Sequence, residues 1–173
     1  MRSDDLSPWL IRGVYLFGFA LILTAAIDLL TTVWPLRPGQ MTWRYGFLGL
    51  SAGHLQTPTL GLMLIIGASI VDRRPVVLRV TAGICLATAV ILIGVMGIFA
   101  LDVVQVRGLR PEEAQRSVLV GGVFQEIKYF VATLVFALLG YGALLTERVL
   151  GGEEARRPRT PGIVAAAGKD EYA

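Results

Sequence analysis

Cysteine, histidine and lysine are nearly absent from this 173-residue chain, which has Cys85, His54, Lys128 and Lys169 and no others. One cysteine excludes an internal disulfide and a thiolate metal site. Cys85 sits among Ile84, Leu86 and Ala87, so it reads as a small buried apolar residue. One histidine excludes a bis-histidine haem within a single chain. Charge is also scarce: 17% of residues are charged, against about 25% in an ordinary soluble domain. The net charge is +3, but the basic residues lie between apolar segments and form no stripe interleaved with aromatics. Nucleic acid is therefore not an expected partner. Ser51 precedes His54 by three residues, yet no elbow motif or oxyanion donor accompanies it, so no catalytic residue is assigned. Asp28, His54 and Glu126 make a conceivable nitrogen-and-carboxylate ligand set. They come from three separate segments, so spacing lends a metal no support.

What the chain has instead is apolar length. Hydrophobic residues make up 54% of it, and its mean hydropathy is +0.65. A membrane span needs about 20 mostly apolar residues. Four stretches qualify: 13–34, 47–71, 80–104 and 120–146. The first exceeds the apolar core of a signal peptide and lacks a small-residue cleavage site after it, so it reads as a retained helix. The expected fold is an all-α integral membrane protein, residues 1–150, with four transmembrane helices in two antiparallel hairpins. The turn Asp72–Pro75 joins the middle spans. Pro111 followed by Glu112 and Glu113 is a helix-start pattern, which predicts a long outer extension of the fourth helix. Residues 151–173, rich in Gly, Pro, Ala and charge, read as a flexible, disordered cytoplasmic tail.

Lysine and arginine set the orientation. Ten lie before span one, between spans two and three, or in the tail; five lie in the other two connections. This excess places the N- and C-termini in the cytoplasm. Arginine far outnumbers lysine, which points to a GC-rich bacterial genome, and the expected location of a four-span chain is the inner membrane. Trp34, Trp43 and Tyr45 are expected at the outer headgroup level, and Trp9 and Tyr15 at the inner one.

Charged groups inside spans are costly and each is a functional hypothesis. Asp28 lies six residues before Trp34, ~9 Å below that boundary at 1.5 Å per residue, with Thr24, Thr31 and Thr32 on its face. His54 and Glu126 fall at similar depths on spans two and four, and Asp102 comes at the outer end of span three. Glu126 shares a face with Gly122, Tyr129, Thr133, Ala137 and Gly140, which is expected to look into the bundle. Gln125 and Tyr129 are placed to hydrogen-bond at i, i+4. Lys128 points away from Glu126 and snorkels toward the headgroups. The candidate polar pocket is thus Asp28, His54, Gln56, Glu126 and Tyr129 in the outer half, with the inner half almost uniformly apolar. Hydration or helix register is the plain alternative for these residues. Pro58 lacks an N–H, so the carbonyl of His54 loses its helical partner and span two should break there.

Small residues supply candidate helix-packing faces: Gly49 and Gly53 on span two, and Gly83, Ala87, Gly94 and Gly97 on span three. The function expected from these features is a non-enzymatic accessory or assembly subunit. Its partners are the lipid bilayer and other membrane subunits or further copies of itself. Two alternatives stand beside it. One is a small-molecule or proton-linked protein using the outer pocket. The other is a tetrapyrrole-binding subunit holding its pigment through His54. No cofactor is otherwise expected.

Overall fold

The computed structural model describes residues 8–156 of the chain. They form five helices and, among the described residues, no strand: α1 Pro8–Val33, α2 Met41–His54, α3 Gln56–Val71, α4 Pro75–Gly108 and α5 Glu112–Arg156. Helices α2 and α3 make up the second apolar segment, interrupted only at Leu55. Four segments are therefore long and apolar enough to cross a membrane, as a membrane protein requires. Of the expected tail, 151–156 continue α5 as helix, and the rest lies outside the described residues.

The boundaries follow from local chemistry. Pro8 and Pro75 each open a helix, where a missing N–H costs nothing. Helix α5 begins at Glu112, eight residues before the apolar stretch at 120, with Glu112 and Glu113 at the positive dipole end. The connection before it has three residues, 109–111, because most of the RPEEAQRS segment is helix. The α3–α4 turn is a Schellman-type cap. Arg73 N–H donates to the Ile70 carbonyl, and Arg74 N–H to that of Ser69 at 3.0 Å. The cap requires a left-handed residue, and Arg73 supplies it with a φ of 51°.

Pro58 explains the break at Leu55. It occupies the first turn of α3, where its missing N–H is tolerated and the helix can restart. The Thr59 hydroxyl donates to the Leu55 carbonyl at 2.6 Å, so it serves its own helix and not the carbonyl of His54.

Helix α1 lies on α3, and α4 lies along α5; α2 and α3 join the two pairs by packing on α4. The core runs through the joint, with Leu62, Ile66, Leu78, Cys85, Phe99, Tyr129 and Phe136. Two glycines set the α1–α3 spacing. A Cβ on Gly18 would stand 2.8 Å from the Gly61 carbonyl oxygen, and one on Gly61 would stand 2.5 Å from that of Gly18. Between α4 and α5, Gly122 stands against the Val103 side chain and Gly140 against that of Leu86. The small residues expected to pack helices lie elsewhere. Added Cβ atoms at Gly49, Gly53, Gly83, Gly94 and Gly97 would meet nothing within 4 Å, and Ala87 is exposed. These residues do not make the close approaches inside this chain, because α4 buries a different face, that of Leu78, Ala82, Cys85, Ala89, Leu92 and Phe99.

Candidate functional site

The largest group of polar residues that meet lies at the end of the bundle where α1 and α4 finish and α2 and α5 begin. Arg44 in the first turn of α2 forms a two-pronged pair with Asp102 near the end of α4: Nη2 donates to Oδ1 at 2.7 Å and Nε donates to Oδ2 at 3.2 Å. Asp102 is almost fully buried, at 1% exposure, and a buried carboxylate needs such a partner. The pair ties α2 to α4.

One turn deeper, α5 presents Tyr129, which is 1% exposed. Its hydroxyl donates to the Leu48 carbonyl. The Ser51 hydroxyl lies 2.5 Å from the same phenol oxygen and 3.1 Å from the Leu48 carbonyl. Phe99 packs edge-on against Tyr129 with ring centroids 6.0 Å apart, and Tyr45 stacks on Phe99 at 5.6 Å. Tyr45, expected at the headgroups, therefore sits against the core. The reason is that α2 starts at Met41, six residues before the apolar stretch at 47, and carries the ring inward.

Gln125 and Glu126 lie one turn before Tyr129 on α5. Each keeps a buried side-chain Oε1 with no hydrogen-bond partner among the described residues. The expected Gln125–Tyr129 bond does not form, because the phenol has two partners across the helix interface. The glutamine oxygen cannot compete from its own helix.

The five residues expected to line one pocket do not converge. Asp28 is exposed on α1. Thr31 and Thr32 donate to its backbone carbonyl at 3.0 and 2.7 Å and leave its carboxylate alone. His54 is half-buried at the α2 break, with Nδ1 3.1 Å from the Leu50 carbonyl. It bonds neither Ser51 nor Tyr129, so no nucleophile–base pair is assembled. Gln56 is exposed and lines a groove of about 480 Å³ between the α2–α3 break and α5, together with Lys128. His54 is not among that groove's lining residues. Among the described residues no three His, Cys, Asp or Glu side chains gather as a metal site would need, so Asp28, His54 and Glu126 form no ligand triad.

Two features escaped sequence reasoning. By its position between spans Arg44 reads as a loop cation, although an isolated carboxylate at the end of span three implies a cation at the matching end of another span. At the opposite end, the bundle is not uniformly apolar. The Tyr15 hydroxyl donates to Ser69 Oγ at 3.1 Å, and Arg79 pairs with Glu147 across α4 and α5.

Comparison of the chain with protein-family models, curated protein sequences and solved structures gave no match.

Proposed function

We propose that the chain is a bacterial inner-membrane protein of four spans, acting as a non-enzymatic accessory or assembly subunit beside a larger membrane complex. Apolar side chains cover its flanks: Phe19, Val90, Ile93 and Leu138 are each at least 60% exposed. In water such a surface is an aggregation hazard; in lipid it is the ordinary state. Contacting pairs run in opposite chain order, Gly18 with Gly61 and Val33 with Trp43, then Arg79 with Glu147 and Val103 with Gly122. This order supports two antiparallel hairpins. The basic excess before span one, in the Arg73–Arg74 turn and in the tail supports cytoplasmic termini. Arginine's excess over lysine supports the bacterial source.

The observation that carries the role is the bare face of α4. Gly83, Gly94 and Gly97 have no neighbour within 4 Å of an added Cβ. Small residues on a span admit the close approach of another helix, and here that face is free. Purification from native membranes in mild detergent tests the reading. A co-purifying membrane protein is expected, and Gly94→Leu should release it while the chain still reaches the membrane. A chain recovered without any other protein would count against the role.

A second reading, small-molecule or proton-linked use of the Arg44 end, is favoured by the unpaired oxygens of Gln125 and Glu126. Buried polar atoms ordinarily have a partner, and water or a solute would provide one. Proton or solute flux in proteoliposomes checks it, with equal flux in wild type and Glu126→Gln excluding a role for that carboxylate.

A further inference from the structure

Two oppositely charged side chains on the apolar helices point outward with no ion pair among the described residues: Asp28 on α1 and Lys128 on α5. Their depths agree. Gly18 lies against Gly61, and the Val33 carbonyl accepts from Trp43, so Asp28 stands opposite the turn from Leu48 to Ser51. Tyr129 reaches Leu48 and Ser51, and Lys128 precedes it. Asp28 and Lys128 are thus within about one helical turn of the same level.

Their surroundings differ in a complementary way. Lys128, Gln56 and Thr59 border the groove of about 480 Å³, whose other walls are apolar, with Leu55, Leu60, Val131 and Val135 among them. Asp28 sits on a narrow helix flank between Thr24 and Thr31, all three exposed. A charge facing lipid at this depth is expensive, and pairing across helices is the usual remedy. We propose that a second copy of this chain seats the Asp28 flank of α1 in the groove. The Lys128 ammonium of one copy then donates to the Asp28 carboxylate of the other, with the Gln56 amide as a second donor.

A lipid phosphate would satisfy Lys128 but leave Asp28 without a cation. A second copy inserted in the same orientation satisfies both, because each copy brings one of each charge to the same level. The inference rests on the membrane reading above and names a partner which that reading leaves open.

Two differently tagged full-length copies, co-expressed and extracted in mild detergent, provide the test. Wild-type copies are expected to co-purify. Asp28→Asn and Lys128→Gln should each lower co-purification about tenfold, the equivalent of ~1.4 kcal/mol. Asp28→Lys combined with Lys128→Asp in one chain should restore it. In a Cys85→Ala background, Asp28→Cys on one copy and Lys128→Cys on the other should be joined by a short bis-maleimide, which spans the reach of the lysine side chain that a direct disulfide cannot. This cross-link decides the matter where the charge-swapped chain is not recovered. Membrane recovery is scored for every variant, so loss of insertion is told apart from loss of pairing. Wild-type monomers, unaffected single variants or absence of the cross-link would overturn the proposal. So would monomers that retain phospholipid in a Lys128-dependent way.

Discussion

Tyr129 shows how one side chain can hold three helices in register. It grows from α5, stacks its edge on Phe99 of α4, and donates to the Leu48 carbonyl of α2. In a setting without water, a phenol at 1% exposure must find an acceptor. Tyr129→Phe keeps the ring and removes the donor. A loss of about 1 kcal/mol is expected, near the net worth of one buried hydrogen bond and within the range for interhelical bonds in membranes. Thermal unfolding in detergent measures it, and an unchanged midpoint would mean that the ring alone matters. Asp102 poses the same requirement with a full charge. It is answered by the two-pronged Arg44 contact, whose planar guanidinium matches the carboxylate.

At the scale of helices, glycines divide by what stands beside them. Gly18 and Gly61 let α1 and α3 touch backbone to backbone, and any added methyl collides with a carbonyl oxygen. Gly61→Ala should therefore destabilise the chain by about 1–3 kcal/mol, the usual cost of overpacking. Gly94→Ala adds the same methyl where nothing lies within 4 Å. Its expected effect is neutral or up to about 1 kcal/mol stabilising, through better helix propensity. Unfolding midpoints of the two variants in the same detergent compare these directly. Equal shifts would show that crowding at the α1–α3 contact does not govern stability. The second apolar segment adds a different lesson. His54 and Gln56 stand two residues apart across the break at Leu55, which keeps helical dihedrals, so they point to opposite sides as i and i+2 do on any helix.

For the whole molecule, two helix pairs are joined by packing through α4, leaving wide apolar flanks, one groove edged by Lys128 and one bare glycine face. Such a surface suits lipid and lateral contacts. The four-span reading predicts that the 34–40 and 109–111 connections share one side of the membrane and that the Asp72–Arg74 turn lies on the other. Single cysteines placed in each, on a Cys85→Ala chain, should label with a membrane-impermeant reagent in whole cells at the first two sites only. Labelling at all three, or at the turn alone, would overturn the assigned orientation.

Four long apolar helices, their approximate extents, the proline break and the early start of α5 were legible in the sequence. Each depends on local properties: apolar length, a missing N–H, acidic residues after a proline. The polar pocket was not legible in the same way. Counting residues puts Asp28, His54 and Glu126 at similar depths, but depth leaves rotation about each helix axis undetermined. Only tertiary packing decided that Asp28 turns outward, that Tyr129 spends its hydroxyl on α2, and that Arg44 meets Asp102. The same holds for the glycines. The small-residue pattern marks where a backbone can be approached, while the bulk on the opposing helix decides where it is. Gly18 and Gly61, which belong to no repeated stripe, make the closest contact because each meets the other's bare backbone.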